Sequence, residues 1–187
     1  MTRIKLLSAV CALFIVSGCA LNNYYVLSTA SQPKESYPYK PQVIGVEKVE
    51  VPKYLFKREI AVAKSSNHVI FLGGSAWAED MDTGLTRRLI SFLQKKFKQP
   101  GVYGYPWGTD GQPDIKINVQ VSRFIAQEGT VYLDASWEVR DMETDKRVLN
   151  LFSTTVPTNE DAGSIVDAMD RAFAELEEDV ARGVREL

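Results

Sequence analysis

Two neighbouring stretches of the chain alternate apolar and polar residues so regularly that one kind of packing suits them. Ile115, Ile117, Val119 and Val121 alternate with Lys116, Asn118, Gln120 and Ser122. After Gln127-Glu128-Gly129, Val131, Leu133, Ala135, Trp137 and Val139 alternate with Tyr132, Asp134, Ser136, Glu138 and Arg140. Successive side chains of a strand point to opposite faces, so this pattern predicts antiparallel strands with one buried face. Glu143-Thr144-Asp145-Lys146 reads as a second turn and Arg147 to Val156 as a third strand, giving a β-meander that Pro157 ends.

Upstream, Asn22 to Leu27 is a short β-prone run, and Ser28 to Pro41 carries three prolines and reads as an irregular crossing. Gln42 to Val51 is a Val/Ile-rich strand stopped by Pro52, which has no N–H for a ladder. Glu59 to Lys64 and His68 to Leu72 are further strands. Gly73-Gly74 then reads as a strand-to-helix turn.

The period changes at Met81. Met81, Leu85, Leu89, Phe92, Leu93 and Phe97 form one helical stripe, with Arg87, Arg88, Lys95 and Lys96 on the other face. Asp80 and Asp82 are candidate caps, and Pro100-Gly101 stops the helix. Residues 101–113 read as a loop. A last helix from about Asn159 carries Ile165, Met169, Ala172, Phe173, Leu176, Val180 and Val184, opposite Glu175, Glu177, Glu178 and Asp179. Thr158 and Asp161 resemble a capping pair ahead of it. The sum is a single α+β domain, β-β-β-α-β-β-β-α. Its mixed, mostly antiparallel sheet has about six strands, with two amphipathic helices packed on one face.

The first residues carry an address. Arg3 and Lys5 precede an apolar run, Leu6 to Val16, too short for the roughly 20 residues a membrane-crossing helix needs. Val16-Ser17-Gly18-Cys19 follows and resembles the bacterial lipobox, in which the cysteine thiol accepts a diacylglyceryl group before cleavage. The expected organisation is a signal peptide over 1–18, then an anchor, short strand and proline-rich crossing over 19–41, and a globular domain over 42–187. A lipoprotein N-terminus normally carries three acyl chains, which makes attachment effectively permanent. Ala20 follows the cysteine; in enteric bacteria an Asp there retains a lipoprotein in the inner membrane, so outer-membrane delivery is expected.

Cleavage would leave 169 of the 187 residues, with 20 basic and 24 acidic side chains and a net charge of −4. Mild acidity without a basic cluster argues against nucleic acid as a partner. Cys19 would be the only cysteine remaining, and acylated, which excludes an intrachain disulfide and cysteine catalysis. His68 is the only histidine, so no multi-histidine metal site can form. Gly73-Gly74-Ser75-Ala76 lacks the Gly-Lys-Ser/Thr ending of a phosphate loop. Neither Asp80 with Asp82 nor Glu138 with Asp141 is placed across a cleft by the sequence. The inventory points to no enzyme, cofactor or metal.

Tyr103, Tyr105 and Trp107 stand together in a Gly/Pro-rich segment, where no periodicity assigns them to a core. Loops of this kind serve partner contacts, since aromatics dominate interface energetics. They also serve as lids on a protein's own core. Both readings stay open at this point.

Several segments in order resemble one family. They are Asn23-Tyr24-Tyr25-Val26-Leu27 just after the lipobox, the strand Val46 to Val51 with Pro52-Lys53-Tyr54-Leu55, and Ala76-Trp77-Ala78-Glu79-Asp80-Met81 leading to Leu85. They are similar to the PqiC-type (YmbA-like) lipoproteins, auxiliary components of ABC-type lipid transport systems that contain MCE proteins. The resemblance implies a non-enzymatic lipoprotein on the periplasmic face of the outer membrane. It implies docking to a periplasmic MCE protein and a homo-oligomeric ring, with no catalytic residues to carry over. Competing readings are a carrier that holds lipid between sheet and helices, and a structural lipoprotein for cell-wall binding or outer-membrane assembly.

Overall fold

The computed structural model describes residues 23–187 apart from 28, 30, 31, 39 and 108–110. The signal segment 1–18 and Cys19 lie outside the described residues. In chain order the elements are β1 (Asn23–Tyr25), β2 (Ile44–Val46), a 3-10 turn (Lys53–Phe56), β3 (Glu59–Ser65), β4 (His68–Trp77) and α1 (Met81–Phe97). There follow β5 (Val102–Gly104), β6 (Ile115–Gln127), β7 (Thr130–Asp141), β8 (Arg147–Pro157) and α2 (Ala162–Glu186).

One mixed sheet of eight strands holds them, against the six expected, and β6 is its axis. On one side β7 and then β8 pair antiparallel, giving the anticipated meander. The other side of β6 is shared. Its start pairs parallel with β2, which carries β5 beyond it. Its last two residues pair parallel with β3, which carries β4 and β1 beyond it. Beyond the six expected, β1 falls in the β-prone run Asn22 to Leu27 and β5 in the segment read as loop; each is three residues long and pairs parallel. A strand that short has no readable period and takes its shape from a distant partner, which is why Val102–Gly104 read as loop.

Two bulges explain the misplaced strand ends. Between Val121 and Arg123 the β6–β7 register slips. Ile115 to Val121 face the core in odd-numbered positions, but beyond the slip Phe124 and Ala126 do so, and Ile125 turns to the opposite face. The alternation therefore breaks at Ser122 while the strand continues. In β4, Glu59↔Ala76 and Ala61↔Phe71 bracket a larger irregularity that includes Gly73 and Gly74. Gly74 has φ +73°, as a turn would need, but the strand passes through it to Trp77. The expected strand-to-helix turn is a bulge.

Both helices cover one sheet face. Phe92, Phe124 and Phe173 are each 0% exposed in a continuous cluster that fills the space between sheet and helices. The α2 stripe runs as expected, with one addition: an ideal Cβ on Gly183 would lie 2.4 Å from two ring carbons of Trp137. The helix approaches β7 at Gly183 because there is no side chain there, and the Trp137 indole donates to Asp179 Oδ2 at 2.8 Å. At the start of α2, Asp161 is itself the cap and accepts from the Ser164 N–H at 2.9 Å, so Thr158 is not the capping residue. Asp80 occupies the cap position of α1 without a side-chain capping bond.

The polar faces of the helices are the main correction. Arg88 and Glu177 are both 0% exposed and Lys96 is 1% exposed, although the stripe pattern put all three on the solvent side. They are buried because the helices lie side by side and the segment after β1 crosses over them. Arg88 reaches Glu177 at 3.2 Å, Asp170, and the Leu27 carbonyl at 3.4 Å. Lys96 pairs with Glu178 at 2.6 Å, and Glu178 also accepts from the Lys34 N–H at 2.9 Å. Desolvation alone would raise the Glu178 carboxyl, but Lys96 and the Lys34 N–H hold it below the ordinary range. Leu27 and Tyr37, ahead of position 42, belong to the buried core.

Candidate docking surface

The face of the sheet that the helices leave open is built from the polar half of the alternation. Across it, Lys116 stands between Gly45 on β2 and Arg140 on β7, and Arg140 pairs with Arg147 on β8. The next row holds Asn118, Glu138 and Leu149. Carboxylates beside these rows neutralise their cations. Lys116 and Asn118 bond Glu47 at 2.6 and 2.7 Å. Burial would raise Glu47, yet those two partners together bring it below its usual range. The Arg140 and Arg147 guanidiniums lower Asp145 in the same way. A face of satisfied, partly exposed polar groups suits a protein contact.

The three loop aromatics meet at one corner of this face. Tyr103, on β5, is 55% exposed and Tyr105 is 69% exposed. Tyr105 packs edge-on against Trp107 with ring centres 4.9 Å apart. Trp107 is half-buried over Gly45, where an added Cβ would sit 2.9 Å from the indole and 2.5 Å from Pro113. The Tyr105 N–H donates to the Val46 carbonyl at 2.9 Å, which fixes the segment to β2. Tyr103, Pro106, Trp107 and Pro113 line an open cleft of about 600 Å³. Tyr105 also borders a second cleft of about 520 Å³ with Glu47, Val51 and Phe56. Trp107 thus packs on the domain, while Tyr103 and Tyr105 are exposed.

At the other margin Leu149 and Leu151 are 66% and 85% exposed on β8, an edge strand of eleven residues. Neither was singled out from sequence. The signal was present in Val148-Leu149-Asn150-Leu151-Phe152, a strand apolar on both faces, of which only one is covered by α2. His68 is exposed at the start of β4. Among the described residues no cluster of His, Cys, Asp and Glu is arranged to hold a metal ion, and no helix is long and apolar enough to cross a membrane.

Fold and surface together define a two-layer α+β domain whose helices cover one face of the sheet. The chain belongs to the family described as the ABC-type transport auxiliary lipoprotein component, whose sequence model matches residues 25–181. The resemblance carried by Asn23–Leu27, Val46–Leu55 and Ala76–Met81 is thereby shown. A crystallised protein from Xanthomonas campestris has the same fold, with a TM-score of 0.73 and 14% identity over 87% of this chain and 94% of its own. Another crystal structure, of an uncharacterized protein, has a TM-score of 0.70 and 21% identity over 87% of this chain and 98% of its own. Comparison with curated proteins gives no significant match.

Proposed function

We propose that this protein is a non-enzymatic auxiliary lipoprotein, anchored through Cys19 to the periplasmic face of the outer membrane, that docks a periplasmic MCE protein of an ABC-type lipid transport system. The observation that carries the reading is the open sheet face with its aromatic corner, in a chain of the auxiliary lipoprotein family. Tyr103, Tyr105 and Trp107 are the proposed contact residues: Tyr105 packs on Trp107, Tyr103 shares their cleft, and aromatic clusters of this kind dominate interfaces. The edge strand β8, with Leu149 and Leu151 exposed, is the natural seam for a homo-oligomeric ring. The filled space between sheet and helices favours docking over lipid held inside this domain.

A photo-crosslinking residue in place of Tyr105 is expected to capture an MCE-type protein in intact envelopes. Capture of no such protein, together with a domain that stays monomeric at high concentration, would overturn the reading. The anchor is tested separately. Cys19→Ser is expected to abolish palmitate labelling and release the protein from the membrane fraction; continued labelling would sink the assignment.

A further inference from the structure

We infer that the corner of the open face made by β1 and the Gly73–Gly74 bulge of β4 rests against the bilayer, with Tyr24 and Phe71 at headgroup depth. The inference rests on Cys19 carrying the lipid. From Cys19 to Asn23 the chain advances four residues, which span at most about 14 Å when fully extended. The acylated sulfur lies beneath a headgroup layer roughly 5–7 Å deep, so β1 is held within about 10 Å of the membrane surface.

That strand is not a free tether. It pairs with β4 at Asn23↔Ser75, Tyr24↔Ala76 and Tyr25↔Trp77. Just after it, the buried Leu27 is tied through its carbonyl to Arg88. The tether therefore acts on a fixed corner of a rigid body, and whatever that corner exposes must meet the membrane.

What it exposes suits a membrane interface. Tyr24 is 60% and Phe71 42% exposed. The register puts both on the open face, since Tyr24 pairs with Ala76, Ala76 with Glu59, and Phe71 with Ala61. Tyrosine joins an apolar ring to a polar tip and favours the headgroup level. Arg58 lines a shallow hollow of about 380 Å³ with Tyr24, Glu59, Gly73 and Ser75. No ion pair engages Arg58 among the described residues, which leaves it a partner for a lipid phosphate. Nothing stands within 4 Å of the position a Cβ would take on Gly73 or Gly74, so the bulge offers bare backbone at the surface. The aromatic cleft lies beside the start of β6 and this corner beside its end, so contact with the bilayer here turns the cleft away from the membrane.

The experiment uses Gly73→Cys, which adds a thiol in open space to a chain whose only other mature cysteine is acylated. The lipidated protein, labelled there with a fluorophore, is placed in phosphatidylethanolamine/phosphatidylglycerol vesicles containing a headgroup nitroxide quencher. Quenching is expected to be several-fold stronger than at Glu143→Cys, in the turn between β7 and β8. Adding Tyr24→Ser and Phe71→Ser is expected to bring it down toward the Glu143→Cys level. Equal quenching at both positions in protein that floats with the vesicles overturns the inference and leaves the anchor standing. Unchanged quenching in the serine variant overturns the assignment of Tyr24 and Phe71. Protein that does not float removes the anchor, and this inference with it.

Discussion

Replacing Arg88 with alanine is expected to destabilise the domain by about 3–5 kcal/mol, the range for breaking a buried ion pair from one side. The guanidinium is 0% exposed and bonds Glu177, also 0% exposed, at 3.2 and 3.3 Å. It further reaches Asp170 and the Leu27 carbonyl, and its charge lies 5.4 Å from the Phe173 ring centre. Removing it takes the guanidinium from a carboxylate that stays in the interior, which costs more than the lost contacts alone. Asp170 is half-exposed and water replaces its partner cheaply. Glu177, 0% exposed, is not reached by water in that way. The double variant Arg88→Met/Glu177→Leu is therefore expected to recover most of the loss, since a well-packed apolar pair replaces a buried ion pair at little cost. Urea titration followed by far-UV circular dichroism measures both, and a single variant within about 1 kcal/mol of the parent would contradict the argument.

Gly183→Val is the second large effect. A Cβ there stands 2.4 Å from two carbons of the Trp137 ring, so helix or indole must move. Overpacking a core costs about 1–3 kcal/mol. Displacing the indole also breaks its 2.8 Å bond to Asp179, and stranding that buried donor adds a further 1–3 kcal/mol or so. Asp179 ties the site into a wider network, accepting from Asn150 at 2.9 Å and pairing with Arg182. The better helix propensity of the new residue returns less than about 1 kcal/mol. The net expectation is a loss of about 1–6 kcal/mol, read by thermal melting, with a weakened near-ultraviolet tryptophan signal. An unchanged melting temperature would mean that α2 can slide without cost.

The contrast between these sites and the β-meander shows what a sequence discloses. Ile115 to Val121 and Val131 to Val139 were legible because each residue's direction follows from its neighbour's, and the pairing strand comes next in the chain. The α1 and α2 stripes were legible for the same local reason. Arg88, Lys96 and Glu177 were not. Helical spacing places them opposite the apolar stripe, and nothing local says that a second helix and the segment following β1 will cover that side. Tyr103, Tyr105 and Trp107 were legible as a group because a Gly/Pro-rich segment leaves aromatics without a periodic duty. Their split into one packed ring and two exposed ones depends on Gly45 and Pro113, far off in sequence. Leu149 and Leu151 were passed over because an apolar residue in a strand is ordinarily read as core, and only the sheet's edge reveals them as surface.

The parallel pairing of β1 with β4 has a consequence for the order of assembly. Asn23 meets Ser75 only after some fifty intervening residues have been drawn into a loop, and the strand it joins is the second arm of the β3–β4 hairpin. Contacts of such separation form late, because the entropy of closing the loop is lost before the contact returns anything. The β1 stretch would thus be among the first to be made and among the last to settle. Until it does, Arg88 lacks its Leu27 contact, and a body anchored at Cys19 as proposed pivots about its tether rather than standing on it.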